Sequence, residues 1–417
     1  MTRKRLLLVL ILAAILGGGA ILAVVLAKQQ AGRDVQGSST EEFVITQAPK
    51  PKPPPVPGVE WPTYGFAATR DRVSPYSYRP PFRQRWRFPG RSLLEFPPVV
   101  AYGRLFFANN DGVLFAVDVR TGKEAWRYES GRVQAASPAV AANTVIHTFL
   151  YRPGATVRKN GEVIAFAAGT GKILWRRTLA GPSESSPLVL GKRVYVGDWS
   201  GRISCFDVAT GALRWTARTG GEVKGAVSAA GGNVYVGSYD HHLYAFDAKT
   251  GAQKWRASVQ SRLGAPGTFY ASPALAYGRV YIGATDGRIY SYGATSGELR
   301  WSHNTGGYVY ASPAVWQKRV FVGSYDRHFY SLDAATGDVL WRFNAGGRIS
   351  GSSTIVSGLV YFSTLEGQTF ALDARTGARR WSFPDGAYTP VIADKQHLYL
   401  VGKGSVRAFV SRAKPGR

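Results

Sequence analysis

The stretch AVDVRTGKEAW, from Ala116 to Trp126, decides the fold because it recurs along the chain. Other copies are AFDAKTGAQKW, which ends at Trp255, and ALDARTGARRW, which ends at Trp381. The repeat tryptophans stand 40 to 49 residues apart; they are Trp86, Trp126, Trp175, Trp215, Trp255, Trp301, Trp341 and Trp381. A period near 40 residues predicts a repeat protein in which each unit is one blade of a β-propeller.

Each part of this phrase has a physical role. The Thr-Gly pair predicts a tight turn in which glycine takes a positive φ, and the preceding aspartate can accept hydrogen bonds from the backbone of that turn. The tryptophan is expected to pack between adjacent sheets. Upstream lie a short segment that often begins Ser-Pro, as at Ser272-Pro273, and an alternating segment such as VYVGS (Val234 to Ser238). Each repeat therefore contains four short strands.

The two ends of the repeat region are complementary. The last repeat supplies Val391 to Val410 but has no Thr-Gly turn or tryptophan after Ala408. Trp86, in FRQRWRF, belongs to a fourth strand that lacks the three strands before it. Pairing of these ends would complete a blade and remove exposed strand edges. We therefore predict an all-β fold over residues 61–417, an eight-bladed β-propeller closed by pairing of its N- and C-terminal strands.

The N-terminal region has the composition of a membrane anchor. After the basic start MTRKR, the 22 residues from Leu6 to Ala27 carry no charge, which is long enough for a helix that spans a bilayer. The preceding basic residues place the N terminus in the cytoplasm. A cleavable signal peptide is the alternative, although its apolar core would be shorter. We expect residues 1–27 to form a cytoplasmic tip and a single-pass transmembrane signal anchor in the inner or cell membrane.

Residues 28–60 are predicted to be an extracytoplasmic linker. They end in the proline-rich run APKPKPPPVPGVE. Such runs adopt stiff, extended polyproline II and do not join a sheet. The linker is therefore expected to hold the propeller away from the membrane, on the extracytoplasmic side.

Charge and cysteine content limit the possible functions. The chain has 52 Lys and Arg against 26 Asp and Glu, a formal net charge of +26. This excess favours polyanionic partners such as nucleic acid, anionic lipid or wall polymers, and a solvated basic surface without a specific partner is an equal alternative. Cys205, the single cysteine, occupies a small-residue position of the repeat, so we expect a buried structural thiol. One cysteine excludes a disulfide within the chain and the paired spacings of haem and zinc motifs.

Two insertions interrupt the period and predict which face of the propeller functions. YRPGATVRKN (Tyr151 to Asn160) lies between the second and third strands of its blade, and SVQSRLGAPGTF (Ser258 to Phe269) connects two blades. Both connections emerge on one face of an up-and-down blade, and insertions on one face often mark the binding face. The residues before each first strand would ring the channel mouth there; in register they are Glu95, Ala135, Glu184, Lys224, Tyr270, Tyr310, Ser350 and Ala387.

We predict a partner-binding surface on this face that is aromatic and cationic. Its candidate residues are Arg132, Arg152, Arg158, Lys159, Lys224, Arg262, Tyr270, Tyr310, Arg348 and Tyr388. Tyrosine and arginine commonly anchor protein interfaces, although the tyrosines could instead pack the channel wall. We interpret His241, His242 and His328 as solvated turn residues, because adjacent residues of a strand point to opposite faces and chelate poorly. No metal site is predicted.

The phrase A-x-D-x-x-T-G-x-x-x-W, the Ser-Pro segment and the opening WPTYGFAATR (Trp61 to Arg70) resemble the PQQ-like β-propeller repeat family over residues 61–410. That family includes quinoprotein alcohol dehydrogenases and outer-membrane assembly factors of the BamB type. The resemblance to the dehydrogenases would imply a quinone stacked on a disulfide of adjacent cysteines, and a calcium ion held by Glu, Asn and Asp. This chain departs from both patterns. It also departs from the assembly factors, which are normally lipoproteins.

We therefore expect a membrane-anchored, extracytoplasmic binding scaffold without a cofactor and without catalysis. It would hold a protein partner or an anionic envelope polymer on one enlarged basic face. A PQQ-dependent dehydrogenase is the alternative that the resemblance offers. Nucleic-acid binding is a second alternative, which the excess of charge suggests and the predicted outward orientation disfavours.

Overall fold

The computed structural model describes residues 17–19, 22, 33–44, 57–154, 160–260, 266–388 and 391–412. Within these ranges the chain forms eight antiparallel sheets, which are the blades of a propeller. The predicted transmembrane segment lies almost entirely outside the described residues. In the part that is described, no helix has the length and apolar character needed to cross a membrane.

The strands follow the predicted repeat. Strands β1 (Val59–Trp61) and β2 (Phe82–Pro89) come first. Blade 1 contains β3 (Val99–Ala101), β4 (Arg104–Ala108), β5 (Val113–Asp118) and β6 (Glu124–Glu129); blade 2 contains β7 (Ala139–Ala141), β8 (Thr144–Phe149), β9 (Glu162–Ala167) and β10 (Ile173–Thr178). Blade 3 contains β11 (Leu188–Leu190), β12 (Arg193–Gly197), β13 (Arg202–Asp207) and β14 (Leu213–Arg218); blade 4 contains β15 (Ser228–Ala230), β16 (Asn233–Gly237), β17 (His242–Asp247) and β18 (Gln253–Ser258).

The second half repeats the same order. Blade 5 contains β19 (Ala274–Ala276), β20 (Arg279–Gly283), β21 (Arg288–Gly293) and β22 (Leu299–Asn304); blade 6 contains β23 (Ala314–Trp316), β24 (Arg319–Gly323), β25 (His328–Asp333) and β26 (Val339–Asn344). Blade 7 contains β27 (Thr354–Val356), β28 (Leu359–Ser363), β29 (Thr369–Asp373) and β30 (Arg379–Phe383). Blade 8 contains β31 (Ile392–Ala393), β32 (Leu398–Val401) and β33 (Ser405–Ser411), completed by β2.

The ring closes as the sequence predicts. Strand β2, from the N-terminal side, is the outermost strand of blade 8 and pairs with β33, so that Trp86 lies opposite Ala408. This pairing gives the two end strands of the repeat region a hydrogen-bonded neighbour. The eight-bladed architecture and its closure by N- and C-terminal strands are therefore confirmed.

The repeat tryptophans join neighbouring blades. Trp175, at the outer edge of blade 2, donates its indole N–H to the carbonyl oxygen of Val208 in blade 3 at 2.8 Å. A Cβ atom placed on Gly211, in the Thr-Gly turn of blade 3, would lie 2.6 Å from the Trp175 ring. The same indole bond is made by Trp86, Trp126, Trp215, Trp255, Trp301 and Trp341. The predicted packing between sheets is thus confirmed, and the glycine of the turn provides the space for the ring.

The hydrophobic core lies between successive blades. Val223, Val234 and Phe246 of blade 4, for example, pack in one buried cluster with Tyr195 and Cys205 of blade 3. Cys205 is fully buried, as expected, and burial raises the pKa of its thiol to about 11. It therefore serves as a small apolar group at the blade interface.

Serine hydroxyls link the innermost strands around the axis. Ser272 accepts a hydrogen bond from the backbone N–H of Ala226 at 2.8 Å, and Ser312 accepts one from the N–H of Ser272 at 2.9 Å. Ser186 and Ser352 act in the same way toward Ser137 and Ser312. These acceptor serines, three of which belong to Ser-Pro segments, therefore join one blade to the next around the axis.

Residues 61–74, which we call the inner belt, run around the channel across these innermost strands. The belt carbonyls of Pro62, Ala68, Thr69, Asp71 and Arg72 accept hydrogen bonds from Val140, Ala229, Leu275, Val315 and Ile355 at 2.8 to 3.0 Å. These donors are the middle residues of the innermost strands of blades 2, 4, 5, 6 and 7. The belt therefore occupies the channel that the repeats leave between them.

Residues 33–44, which we call the N-terminal strap, lie against the outer edge of the propeller. Val35 forms a β-bridge with Ser302, on the outermost strand of blade 5, and Val44 donates to the carbonyl of Tyr277 at 3.1 Å. Asp34 pairs with Arg288 at 2.9 Å and Glu42 pairs with Arg300 at 2.7 Å. This part of the predicted linker is thus held on the propeller by ion pairs. Most of the proline-rich run, residues 48–56, lies outside the described residues. Its last two residues, Val59 and Glu60, belong to β1, which pairs with β3, so the end of the predicted linker is part of a propeller sheet.

Candidate functional site

A funnel-shaped cavity of about 330 Å³ opens on the propeller axis. It lies on the face where the innermost strands begin, which we call the funnel face. Its wall is formed by residues that precede the innermost strands of different blades, such as Lys224, Tyr270 and Tyr310, and its floor includes Tyr64 of the inner belt. The predicted channel mouth therefore exists, and the belt makes it a blind pocket.

The floor of the funnel is built from the belt. The hydroxyl of Tyr64 shares a hydrogen bond with Ser352 at 2.6 Å, and the guanidinium carbon of Arg72 lies 4.2 Å from the centre of the Tyr64 ring. Burial acts to raise the pKa of Tyr64, but the charge of Arg72 and the bond to Ser352 outweigh it and lower that pKa. Arg70 is also fully buried and donates to the carbonyls of Val227 and Tyr64. Tyr64 thus separates two buried guanidinium groups from the cavity.

One side of the funnel holds an ammonium group in an aromatic and acidic setting. Lys224 Nζ lies 4.5 Å from the ring centre of Trp199 and 4.7 Å from that of Tyr239. The same nitrogen lies 3.1 Å from Glu222 and 4.0 Å from Glu184. Ring faces and carboxylates both stabilise a cation, so the positive charge of Lys224 is neutralised locally.

Two glutamates line the funnel. Glu184 accepts a hydrogen bond from the hydroxyl of Tyr270 at 3.1 Å. Burial, opposed by the charge of Lys224, raises the pKa of Glu184. Burial and the charge of Glu184 raise the pKa of Glu95 to about 7. The charged side chains of the lining are therefore Glu95, Glu184 and Lys224, and they leave an acidic excess when both carboxyl groups are ionised.

The side of the funnel next to Lys224 and Glu184 is a wall of tyrosines. The ring centres of Tyr270 and Tyr310 are 5.4 Å apart, and those of Tyr310 and Tyr325 are 5.0 Å apart, both with edge-to-face geometry. Tyr308 packs on Tyr310 at 5.7 Å, and 53% of its surface is exposed. Tyr388 completes the lining. Such a wall offers ring faces and hydroxyl groups to a ligand.

The structure brings four predicted site residues together at the funnel: Lys224, Tyr270, Tyr310 and Tyr388. The predicted cations do not form a basic surface there. Arg132 is buried and pairs with Glu162 at 3.2 Å, and Arg348 pairs with Glu366 at 3.3 Å. Arg152 lies exposed at the start of the first insertion, whereas Arg158, Lys159 and Arg262 lie outside the described residues.

The described funnel lining therefore carries two acidic residues and one lysine, which differs from the cationic mouth that we expected. Nearby acidic residues pair with Arg132, Lys224 and Arg348, and Glu95 and Glu184 occupy the lining itself. The histidines of this face make turn contacts: His241 Nδ1 lies 3.0 Å from the carbonyl of Gly267, and His328 Nδ1 lies 3.0 Å from that of Asp326. Among the described residues, no group of three or more His, Cys, Asp or Glu side chains could hold a metal ion.

Sequence reasoning missed several residues that line the funnel or contact Lys224 beside it. Tyr239 and Tyr325 follow the same strand of their blades, in the shared string VGSYD, and this repetition was the available signal. Trp199, in VGDWS, stands at the same repeat position as an aromatic residue, whereas Tyr308 and Tyr64 stand at positions that the repeat does not keep. Glu95 and Glu184 lie at predicted mouth positions. Whether they make the funnel acidic depends on the side chains that surround them.

The quinone that the repeat resemblance implies does not fit this lining. Pyrroloquinoline quinone is a tricarboxylate, and Glu95 and Glu184 would face it with like charge. The funnel cation, Lys224, is already paired with Glu222. Two guanidinium nitrogens of Arg72 are buried without a hydrogen-bond partner, yet that side chain lies beneath Tyr64 and is absent from the lining. We therefore derive no reaction step through a quinone.

Comparison with solved structures supports the fold. The propeller is similar to the crystal structure of BamB from Moraxella catarrhalis, with 18% identity, a TM-score of 0.66 and coverage of 79% of this chain and 99% of that one. It is also similar to a europium-containing methanol dehydrogenase, with 14% identity, a TM-score of 0.71 and coverage of 85% and 98%. At these identities the likeness shows the fold alone.

Sequence comparison gives one short match and one family. A 1-butanol dehydrogenase (cytochrome c) from Thauera butanivorans is 28% identical over 160 residues, which is 34% of this chain and 23% of that protein. The match thus spans about a quarter of that relative. The family model described as outer membrane protein assembly factor BamB matches residues 82–154, 159–269, 260–382 and 344–413, so it covers most of the propeller. The chain therefore belongs to the PQQ-like repeat family of the outer membrane protein assembly factor BamB.

Proposed function

We propose that this chain is a membrane-anchored, extracytoplasmic binding scaffold that holds a protein partner on the funnel face and catalyses no reaction. The observation that carries the proposal is the funnel itself, which combines an exposed tyrosine wall with two half-buried carboxyl groups. Aromatic side chains that surround a few polar groups are typical of protein interfaces. Family membership supports the same class of function.

A protein partner explains the lining better than an anionic envelope polymer does. Glu95 and Glu184 would repel such a polymer at the funnel. Three of the four described candidate cations, Arg132, Lys224 and Arg348, already have carboxylate partners. The same observations argue against nucleic acid, which needs unpaired basic side chains for its phosphates.

The predicted anchor sets where the funnel face would lie. Ala27 ends the uncharged segment and Asp34 begins the contacts of the strap, so an extended chain between them spans at most about 25 Å. Asp34 also accepts a hydrogen bond from the backbone N–H of Asn304, at the funnel-face end of blade 5. We infer that this edge of the propeller lies near the membrane surface.

A quinone-dependent dehydrogenase is the alternative. The similarity to two dehydrogenases supports it, and the acidic lining described above argues against it. We therefore place it second.

Photo-crosslinking in living cells tests the scaffold proposal. A photoreactive residue at Tyr308, which is exposed on the funnel face, is expected to trap a protein partner. The matched control is Lys249, an exposed residue of a Thr-Gly turn on the opposite face. Equal trapping from both positions, or trapping from Lys249 alone, would show that the funnel face is not the binding face.

A further inference from the structure

The setting of Lys224 shows how this funnel accommodates a positive charge. Its ammonium group lies between the faces of Trp199 and Tyr239, at 4.5 and 4.7 Å, and 3.1 Å from Glu222. Only 18% of the Lys224 side chain is exposed. Cation–π contact and a carboxylate together offset the loss of water around such a group. One side of the funnel therefore binds an ammonium group that the chain itself supplies.

Glu95, in the same funnel, has carboxylate and tyrosine neighbours but no such cation. Among the described residues, no Lys, Arg or His nitrogen lies within ion-pair distance of its carboxyl group. Its described hydrogen-bond partner is the neutral amide of Asn110, whose nitrogen lies 3.2 Å from Glu95 Oε2 when the amide is oriented to satisfy its neighbours. A half-buried carboxylate with one neutral donor is poorly compensated.

The free space beside Glu95 suits a side chain of moderate size. The cavity of about 330 Å³ is at the small end of ligand sites and is open to solvent. Tyr270 and Tyr388 line the same cavity, and their pKa values are raised, first by burial and also by the negative charge of Glu95. A cation placed here would meet a carboxylate and tyrosine rings, as the ammonium group of Lys224 does.

We propose that Glu95, Tyr270 and Tyr388 form a subsite that takes one basic side chain, lysine or arginine, from the protein partner. This inference rests on the proposed function, because it names the group by which the partner is recognised. It also gives the acidic funnel a role in a chain whose net charge is +26. A local negative charge on an otherwise basic protein attracts a basic group of the partner to one defined position.

The subsite should depend on pH in a defined direction. The groups that act on the pKa of Glu95 are its own burial and the Glu184 carboxylate, and the tyrosines coupled to it are Tyr270 and Tyr388. Since the pKa of Glu95 is about 7, the carboxylate form that binds a cation increases as pH rises from 6 to 8. The apparent affinity should rise roughly tenfold over this range, because it scales with the fraction of the binding form.

The test uses the full chain and two amino-acid probes with blocked, uncharged termini. They are N-acetyl-arginine amide and its uncharged isostere N-acetyl-citrulline amide. Calorimetric titration at pH 8 is expected to show at least roughly tenfold tighter binding of the arginine probe, the difference typical of a charge-assisted hydrogen bond. Glu95→Gln should remove most of this preference and its pH dependence. The matched control is Glu129→Gln, which changes net charge equally at an exposed carboxylate outside the funnel.

Three results would overturn the subsite. They are equal binding of both probes by the wild-type chain, an unchanged arginine affinity in Glu95→Gln, or an equal loss in Glu129→Gln. Tyr388→Phe, which keeps the ring, should retain binding, and Tyr388→Leu should weaken it. If crosslinking from Tyr308 captures a partner and the arginine probe does not bind, the subsite is wrong and the scaffold function stands. If the probe binds as described and no partner is captured, the scaffold function fails instead.

Discussion

The contact between Trp175 and Gly211 allows the effect of one blade–blade contact on the free energy of unfolding to be measured. Gly211 has a φ of +67°, and an added Cβ would lie 2.6 Å from the indole ring. Gly211→Ala should therefore cost about 1–2 kcal/mol for the left-handed backbone and a further ~1–3 kcal/mol for overpacking. We expect a loss in the free energy of unfolding of about 2–5 kcal/mol, the sum of these two costs.

Gly191 is the matched control for the backbone part of this cost. Its φ is +60°, and an added Cβ would meet nothing within 4 Å. Gly191→Ala should cost only about 1–2 kcal/mol, the penalty of the left-handed conformation. Guanidinium unfolding of both variants, followed by fluorescence, gives the difference due to the indole ring.

A third variant separates the ring from other neighbours. With Trp175→Leu in the background, Gly211→Ala should cost no more than Gly191→Ala does, because the clash partner is gone. The interpretation of the tryptophan as the joint between blades would be refuted if Gly211→Ala were no worse than Gly191→Ala, or if its full cost persisted without the indole.

Three further predictions concern the inner strands and the strap. His147 is fully buried, and burial lowers its pKa from 6.5 to about 3. The free energy of unfolding should therefore fall as pH drops below 6.5, by about 2 kcal/mol at pH 5. If His147→Leu does not show this pH-dependent loss, His147 is its cause. Ser272→Ala should cost about 1–3 kcal/mol in chemical unfolding, because the Ala226 N–H loses its acceptor. Glu42→Gln should release the strap, which limited proteolysis and quenching of Trp301 fluorescence would detect; unchanged cleavage would contradict this role.

The periodic part of the fold could be predicted from sequence because each repeat carries its own turn and tryptophan. The phrase around Trp126 predicts one blade, and the incomplete ends at Trp86 and Ala408 predict the closure that β2 and β33 make. These features depend on local spacing and on complementary ends, both of which a single sequence displays.

The inner belt and the strap could not be predicted in this way. Residues 61–74 occur once, and their hydrogen bonds go to strands of several blades that are distant in sequence. The strap depends on two arginines of blade 5, because Arg288 pairs with Asp34 and Arg300 pairs with Glu41 and Glu42. Proline content predicted a linker for this region, but composition does not reveal which propeller surface a segment contacts.

The candidate site was predicted in position but not in charge. Lys224, Tyr270, Tyr310 and Tyr388 line the funnel as their register indicates. The sign of the local charge depends on pairing between blades, as in the contact of Lys224 with Glu184 at 4.0 Å. Net charge averages the whole surface, so it does not show that the funnel is acidic.

The proposed scaffold function requires that the funnel does not serve as the quinone site of an enzyme. The most direct measurement adds pyrroloquinoline quinone and Ca²⁺ to the purified full chain, removes unbound quinone by desalting, and records the absorption spectrum. We predict that no quinone absorbance stays with the protein, because Glu95 and Glu184 oppose a tricarboxylate in the funnel. Quinone absorbance that co-elutes with the chain at equimolar amounts would contradict the scaffold proposal.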